Sequence, residues 1–289
     1  MAKIPVNGVE IYYEQYGDPT HPAVLLIAGL GAQIVSWSPD FLASFTDAGF
    51  FLTVFDNRDV GLSTWLTEAG TPDALAILSG EQLAPYFVGD MARDAAELVE
   101  ALGLGPVHVI GQSMGGMIAQ QFAIDHPHLT RTLTSIMSSP NPMEVGEPTP
   151  EVMESLFTPR SEEFEESLEE EIVSWQLTNG TTYPIDEAWI REQATLAWQR
   201  GRNPAGVMRQ MAACATSPDR RPLLAGVSIP ALVVHGDADP FVTLAGGEAT
   251  AAALKDVRYV VYPGMGHAVP RALWPALMEE FVTLTKRVS

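Results

Sequence analysis

Short, mostly apolar segments recur along the chain, and most are followed by a longer stretch in which apolar residues repeat with helical periodicity. The apolar segments are Ala23–Ala28, Phe50–Phe55, Val107–Ile110, Leu133–Met137, Ala231–His235 and Val257–Tyr262. Strands that are apolar along most of their length are typical of a sheet covered on both faces. Their alternation with helices predicts the α/β class, with a mainly parallel sheet flanked by helices on both sides.

An N-terminal pair of strands precedes these segments. The sequence IPVNGVEIYYEQYG alternates apolar and polar residues on either side of Asn7 and Gly8. An Asn-Gly pair tolerates positive φ at both central positions of a two-residue turn, as a tight hairpin requires. Added to the apolar segments, this hairpin predicts a sheet of eight strands.

Residues 141–226 interrupt the alternation. This segment contains no convincing strand, and turn-forming residues lie at both of its ends. Its amphipathic stretches are PEVMESLF, SLEEEIVSWQL, DEAWIREQATLAWQR and PAGVMRQMAAC. We therefore predict a core formed by residues 1–140 and 227–289, with residues 141–226 inserted as a helical cap, or lid.

The charge balance excludes several classes of partner. Sixteen basic and 36 acidic residues give a formal net charge of −20, which repels phosphate backbones and anionic lipid. Many of the acids lie in residues 161–171, a run that is typical of a solvated helix face. We expect neither nucleic acid nor a membrane as a partner.

The first residues contain no unbroken apolar run of the kind found in signal peptides or membrane spans. A cytoplasmic location is therefore expected. Cys214 is the single cysteine and cannot form an internal disulfide. Because it lies among small residues in MAACAT, we interpret it as a packing residue.

Ser113 lies at the centre of the motif Gly-Gln-Ser-Met-Gly, between a predicted strand and a predicted helix. Gly111 and Gly115 allow the strand and helix backbones to approach closely around a sharp turn. Such a turn holds the serine outward at a helix N-terminus, where negative charge is stabilised. This context favours a catalytic nucleophile over a serine that merely caps a helix.

A serine nucleophile needs a base and a group that orients the base. His267 follows a predicted strand in the loop PGMGH, and the other histidines are more simply explained by packing, capping or surface roles. The loop HGDADP offers two acids at the end of another strand. We expect Asp239 to pair with His267, and Asp237 to form the turn.

The oxyanion of an acyl-transfer reaction needs two backbone N–H donors. Met114 follows the nucleophile and is the first candidate. The loop LLIAGLGAQ provides the second, because Gly29 and Gly31 allow its backbone to approach the substrate with the N–H of Leu30 directed inward. No Walker arrangement follows this glycine loop, so phosphate binding is not indicated.

These motifs occur in the order Ser, acid, His, and together they resemble the α/β-hydrolase family over nearly the whole chain. The segment DNRDVGLST, residues 56–64, resembles a further family signature, in which the resemblance assigns Arg58 and Ser63 structural roles. Asp59 stands where many members have Gly, which is similar to the methylesterases that act on anthracycline polyketides. Ala28 replaces a common His, and neither departure removes a backbone donor.

The resemblance implies an acid after the seventh strand of the family sheet, a cap after the sixth, and no cofactor or metal. It also implies an esterase that acts through Ser113, His267 and Asp239. The sequence itself contains no H-E-x-x-H, no paired C-x-x-C and no G-x-G-x-x-G opening a dinucleotide unit. The expected partner is a small-molecule ester, apolar and neutral.

The pocket is less well defined by the sequence. Aromatic residues in or near the cap suggest an apolar pocket, although such residues usually serve packing. The candidates are Trp37, Trp175, Trp198 and Phe241. Two alternatives stay open: hydrolysis of a carbon–carbon bond in a diketone-type ring-cleavage product, and non-catalytic ligand reception on the same fold. The sequence leaves the oligomeric state open.

Overall fold

The computed structural model describes residues 2–73, 76–77, 79, 81–158 and 160–288. One sheet of eight strands forms its centre, in the order β1-β2-β4-β3-β5-β6-β7-β8. The strands are β1 (Ala2–Val6), β2 (Val9–Tyr16), β3 (Ala23–Ile27), β4 (Phe51–Phe55), β5 (Val107–Gln112), β6 (Thr130–Ile136), β7 (Ala231–Gly236) and β8 (Val257–Tyr262). The predicted eight-stranded sheet is confirmed.

The sheet is mainly parallel, as predicted. Strands β1 and β2 pair in antiparallel fashion, as do β2 and β4, and every other neighbouring pair is parallel. Asn7 and Gly8 join β1 to β2 with φ values of 44° and 78°, which a tight hairpin turn requires. Strand β6 begins at Thr130, earlier than predicted, because Thr130 already pairs with Val107 at the start of β5.

Helices cover both faces of this sheet. The described α-helices are α1 (Pro39–Asp47), α2 (Val88–Ala101), α3 (Met114–Asp125), α4 (Pro150–Phe157), α5 (Phe164–Thr178), α6 (Glu187–Arg200), α7 (Pro204–Thr216), α8 (Arg221–Leu224), α9 (Leu244–Ala253) and α10 (Trp274–Thr285). No helix in the described ranges has the length and hydropathy of a membrane span.

The central strand β3 shows how the two apolar layers form. Leu25 and Ile27 are buried in one cluster, which also contains residues of α2 and α3. Val24 and Leu26 are buried in the other, with residues of α1 and α10. Successive side chains of a strand point to opposite faces, so an apolar β3 contributes to both layers.

Helices α4 to α8 lie between β6 and β7, in the segment 141–226 that we call the insertion. Apart from Pro159, which is outside the described residues, this segment contains no strand. Helix α4 has the bounds expected from PEVMESLF, and α5, α6 and α7 cover the other predicted stretches to within a few residues. That the insertion acts as a cap stays a prediction.

Candidate active site

Ser113 lies at the turn between β5 and α3, with φ 58° and ψ −124°. This positive φ is costly for a residue with a side chain, and the surrounding backbone sustains it. The Ser113 N–H donates to the Ile136 carbonyl at 2.9 Å, and the Ser113 carbonyl accepts from the Gly116 N–H and the Ser138 hydroxyl, each at 2.8 Å. The side chain is thereby held at the carboxyl edge of the sheet and is 8% exposed.

Close backbone contacts on either side of Ser113 leave room only for glycine. A Cβ atom on Gly111 would lie 1.9 Å from the Gly115 carbonyl oxygen, and one on Gly115 would lie 2.1 Å from the Ile27 carbonyl oxygen. Both neighbours are backbone atoms, which cannot rotate away as a side chain can. The close approach of β3, β5 and α3 therefore depends on hydrogen atoms at these two positions.

Three predicted residues meet at this edge of the sheet. His267 Nε2 lies 2.9 Å from Ser113 Oγ, and His267 Nδ1 lies 2.8 Å from Asp239 Oδ2. Ser113 follows β5, Asp239 follows β7 and His267 follows β8. The carboxyl ends of parallel strands meet at one edge of a sheet, so residues far apart in sequence come within hydrogen-bond reach there.

The two acids of the β7 loop have separate contacts. Asp239 Oδ1 accepts from the backbone N–H groups of Phe241 and Val242, at 2.9 and 3.0 Å, which leaves Oδ2 for the imidazole. Asp237 instead accepts from the N–H of Gly264 at 2.5 Å. The geometry thus places Asp239, rather than Asp237, beside His267.

A second histidine lies close to this acid. His235 is fully buried, and its Nε2 donates to the Val242 carbonyl at 2.8 Å while lying 3.7 Å from Asp239 Oδ2. Burial lowers the pKa of His235, because desolvation disfavours the imidazolium. A neutral His235 leaves the Asp239 carboxylate to His267.

The glycine loop after β3 lies beside the nucleophile. A Cβ atom on Gly29 would lie 3.2 Å from Ser113 Cβ and 3.7 Å from Ser113 Oγ. The Ala32 N–H donates to the Gly29 carbonyl at 3.2 Å, so Leu30 and Gly31 occupy the centre of a turn. In the described part of the chain, neither the Leu30 N–H nor the Met114 N–H donates to a protein acceptor. Their role as oxyanion donors stays a prediction.

The candidate pocket residues differ in their surroundings. Phe241 stacks on the His267 imidazole, with centroids 4.6 Å apart and planes 15° apart. Trp37 is buried and stacks on Phe41 in the apolar layer below. Trp175 donates its indole N–H to Glu171, and Trp198 packs against Phe164 and Arg202. Phe241 is therefore at the site, and substrate contact by any of the four stays a prediction.

The insertion also contacts the loops that carry His267 and Gly31, which the sequence did not indicate. The His267 backbone N–H donates to the Thr178 carbonyl at 2.8 Å, at the end of α5. Gly266 packs on Asn179 so closely that a Cβ atom would lie 2.5 Å from the Asn179 carbonyl carbon. On the other side, Gln210 of α7 contacts Gly31. In the sequence, nothing but its polarity, which Arg209 shares, distinguished Gln210 within the amphipathic stretch PAGVMRQMAAC.

The predicted structural residues of the segment 56–64 are anchored as the resemblance implies. Arg58 forms a bidentate ion pair with the buried Asp94, with both N–O distances 2.6 Å. The Ser63 hydroxyl donates to the Asp56 carbonyl and accepts from the Tyr12 N–H. Asp59 has φ 72° and pairs with Arg209 of α7. These contacts anchor the loop after β4 to α2, to β2 and, through Arg209, to α7 of the insertion.

Cys214 is a packing residue rather than a reactive one. It packs against one apolar cluster of the core, and burial raises the pKa of its thiol to about 12. The thiolate needed for nucleophilic chemistry is therefore scarce at neutral pH. Within residues 2–288, leaving aside the undescribed positions, no three His, Cys, Asp or Glu side chains are grouped to hold a metal ion.

The arrangement of Ser113, His267 and Asp239 suits nucleophilic catalysis. A base within 2.9 Å of a hydroxyl can take its proton. The carboxylate on the far side of the imidazole selects the tautomer in which Nε2 is the free base, and it stabilises the imidazolium once that forms. The site can thus support attack of a serine alkoxide on an electrophilic carbon.

Comparisons with known proteins identify the family. Residues 22–169 match the family model described as the alpha/beta hydrolase fold. The chain is 28% identical to rhodomycin D methylesterase DauP of Streptomyces sp. (strain C5), over 93% of each chain.

Among solved structures, the enol-lactonase of Burkholderia xenovorans LB400 has a TM-score of 0.76 and 22% identity, covering 99% of this chain and 100% of its own. The meta-cleavage product hydrolase of Pseudomonas fluorescens IP01 has a TM-score of 0.75 and 14% identity, covering 100% and 98%. At these identities the two structures show the shared fold alone.

Proposed function

This chain belongs to the α/β-hydrolase fold family, and from that premise we propose that it is a serine hydrolase that cleaves carboxylic esters of small molecules. One observation carries the proposal: Ser113, His267 and Asp239 form a continuous hydrogen-bonded series, with distances of 2.9 and 2.8 Å. Nucleophile, base and orienting acid are then already in place before substrate binds.

The first half of the proposed reaction forms an acyl-enzyme. His267 Nε2 takes the Ser113 proton as Oγ attacks the ester carbonyl carbon, and the carbonyl oxygen becomes an oxyanion. The N–H groups of Leu30 and Met114 would donate to that oxygen. The tetrahedral intermediate then expels the alcohol, which leaves with the proton from His267.

The second half releases the acid. Water donates a proton to His267 Nε2 and attacks the acyl carbon, and a second oxyanion forms in the same position. Collapse of this intermediate returns the proton to Ser113 Oγ and frees the carboxylic acid. Asp239 accepts a hydrogen bond from the imidazole N–H and stabilises the imidazolium in both halves.

The relative's name supports a narrower substrate proposal. DauP is a rhodomycin D methylesterase, so we propose that the substrate is an uncharged, apolar ester of methanol or another small alcohol. We further propose that the insertion serves as a cap over this substrate, because it supplies the Thr178 carbonyl that holds His267 and the Gln210 amide that holds Gly31. Phe241, stacked on the catalytic imidazole, is the nearest candidate for an apolar pocket wall.

The triad is tested by substitutions that exploit the two acids of one loop. We expect Ser113→Ala and His267→Ala to abolish hydrolysis of p-nitrophenyl acetate and butyrate, and Asp239→Asn to lower kcat by roughly 10⁴-fold. Asp237→Asn is the matched control, because an amide oxygen can still accept from the Gly264 N–H. It should retain wild-type kcat, and equal losses at both acids would contradict the assigned roles.

The rival activities give different outcomes in the same series. A carbon–carbon bond hydrolase would leave simple esters nearly untouched and bleach a conjugated diketone ring-cleavage product instead. A ligand receptor would bind an apolar ester saturably without turnover. Measuring hydrolysis, bleaching and binding on one preparation therefore separates the three functions.

A further inference from the structure

We propose that Gln210, on α7 of the insertion, is a positioning residue for the oxyanion loop, residues 28–32. This inference rests on the proposed function, because it concerns the donor that would stabilise the oxyanion. The Gly31 N–H donates to Gln210 Oε1 at 2.9 Å, although the two residues are 179 positions apart. Gln210 thus joins the insertion directly to the loop that carries Leu30.

The Gln210 amide can adopt only one orientation here. Its Nε2 donates to the Arg58 carbonyl at 2.7 Å while its Oε1 accepts from the Gly31 N–H, and the side chain is fully buried. A flipped amide would set N–H against N–H and oxygen against oxygen. Both bonds go to backbone groups, so one side chain joins the oxyanion loop to the loop that follows β4.

The turn that carries Leu30 needs such a contact. Leu30 and Gly31 are its central residues, and Gly31 has φ 67°. The peptide between the two central residues of a turn can rotate to give another turn type, in which this φ is negative. A hydrogen bond to the Gly31 N–H stabilises one of the two orientations, and Val207 closes the outer side, 3.1 Å from a Cβ placed on Gly31.

Leu30 is therefore bracketed by contacts on both sides. Before it, the Asn57 amide donates to the Ala28 carbonyl at 3.2 Å, and Gly29 packs against Ser113. After it, Gly31 is held by Gln210. The Leu30 N–H itself is not used by any acceptor in the described ranges, which is what a donor kept for an oxyanion requires.

Helix α7 is itself anchored, so Gln210 can act as a rigid support. The neighbouring Arg209 is 1% exposed and forms a bidentate ion pair with Asp59, at 2.6 and 2.9 Å. Asn203 at the helix N-terminus donates to the Asp59 carbonyl and caps the Gly206 N–H. These contacts fix the helix next to the loop after β4 independently of Gln210.

The test removes the two hydrogen bonds of the Gln210 side-chain amide while keeping the side-chain volume nearly constant. We expect Gln210→Met to lower kcat for p-nitrophenyl acetate by about 10- to 100-fold, since losing an oxyanion donor outright costs roughly 10²–10³-fold. KM should stay within about twofold, because the loop acts on the transition state. The affinity for a trifluoromethyl ketone, which binds as a tetrahedral oxyanion, should fall in parallel with kcat.

Two further variants separate positioning from general loss of structure. Gln210→Glu keeps an acceptor for the Gly31 N–H but, as a carboxylate, cannot donate to the Arg58 carbonyl, so it should recover only part of the kcat. Gln210→Ala leaves space for a water that satisfies both backbone groups, so it should fold even if Gln210→Met does not. Its kcat should fall as well. Thr216→Val is the matched control, because it removes a hydrogen bond within α7, from the Thr216 hydroxyl to the Ala212 carbonyl, that neither anchors the helix nor reaches the oxyanion loop.

The rate of Ser113 phosphonylation by a fluorophosphonate provides a readout that does not need ester turnover. We expect it to slow in Gln210→Met and Gln210→Ala and to stay unchanged in Thr216→Val. The inference would be overturned if the folded Gln210 variants matched the wild-type protein in kcat, inhibitor affinity and labelling rate. A wild-type protein that labels at Ser113 but hydrolyses no ester would instead overturn the proposed function alone.

Discussion

At residue scale, the site depends on the strained backbone of Ser113 and on two nearby glycine positions at which no side chain fits. Ser113 occupies a strained conformation that costs on the order of 1–3 kcal/mol. The hydrogen bonds of its N–H and carbonyl to Ile136, Gly116 and Ser138 offset this cost. Gly111 and Gly115 allow those bonds to form by letting β5 and α3 meet.

Replacing Gly111 tests this dependence. We expect Gly111→Ala to lower the free energy of unfolding by roughly 3 kcal/mol or more, because its Cβ would meet the Gly115 carbonyl oxygen at 1.9 Å. Esterase activity should be lost with it. Gly89→Ala is the control, since nothing lies within 4 Å of a Cβ there, and a helical Gly→Ala change stabilises by up to about 1 kcal/mol. Urea denaturation of both variants measures the difference, and equal effects would contradict the account.

Buried histidines give the fold an acid-sensitive stability. Burial lowers the pKa of His108 from its ordinary 6.5 to about 4, so between these values the unfolded chain binds a proton that the folded chain does not. The free energy of unfolding should therefore be at its full value above pH 6.5 and fall by about 3 kcal/mol on acidification to pH 4. Burial shifts the pKa of His235 in the same direction.

Denaturation of His108→Gln at a series of pH values measures this contribution. The variant should lose stability less steeply than wild type between pH 6.5 and pH 4. His21→Gln, in which an exposed side chain is replaced, should follow the wild-type curve. An unchanged slope in His108→Gln would show that His108 is not responsible.

At the scale of secondary-structure elements, two buried ion pairs join the insertion to the core. Arg200, at the end of α6, pairs with the fully buried Asp56 at 2.5 Å. Arg209 of α7 pairs with the fully buried Asp59. Both acids lie in the loop after β4, so these helices dock against the same loop that contacts the glycine turn beside Ser113.

The Arg209–Asp59 pair predicts a strongly non-additive mutant cycle. Arg209→Met should cost about 3–5 kcal/mol, because it leaves a buried carboxylate unpaired. Adding Asp59→Gly should recover much of this loss, since it removes the orphaned charge and relieves the positive φ of 72° at that position. Arg258→Met is the control: its pair with Glu280 is solvent-exposed and should contribute less than about 1 kcal/mol. Additive losses in the cycle would contradict a coupled buried pair.

The elements could largely be predicted from the sequence, whereas the contacts between insertion and core could not. The strands and the helices of the insertion carry local periodicity, and the turns at Asn7 and Ser113 carry local glycine signals. The pairs Arg200–Asp56, Arg209–Asp59 and Gln210–Gly31 have no such signal, because each joins residues more than 140 positions apart. Their formation depends on how the insertion packs, which local propensity does not encode.

The site likewise contains residues that the sequence predicts and contacts that it does not. The order of Ser113, Asp239 and His267 was predicted because each follows a recognisable strand, and parallel strands end at one edge. Substrate contacts could not be assigned in this way, since an aromatic residue at helical spacing serves packing equally well. Trp198, for example, lies against Phe164 and Arg202.

At the scale of the whole molecule, the net charge of −20 should select against anionic substrates. At 10 mM ionic strength the field extends about 30 Å, and at 1 M about 3 Å. The ratio of kcat/KM for p-nitrophenyl acetate to that for mono-p-nitrophenyl succinate should therefore fall as salt is raised. The ratio for acetate to butyrate, both neutral, is the control and should not change with charge screening. A succinate ratio independent of salt would contradict electrostatic selection.

The central claim is that Ser113, activated by His267, is the nucleophile. Peptide-mapping mass spectrometry after treatment with a fluorophosphonate tests it most directly. We predict a single adduct, on Ser113, in the wild-type protein, much slower labelling in His267→Ala and no adduct in Ser113→Ala. A folded wild-type protein that stays unlabelled, or that carries the adduct on another residue, would contradict the account.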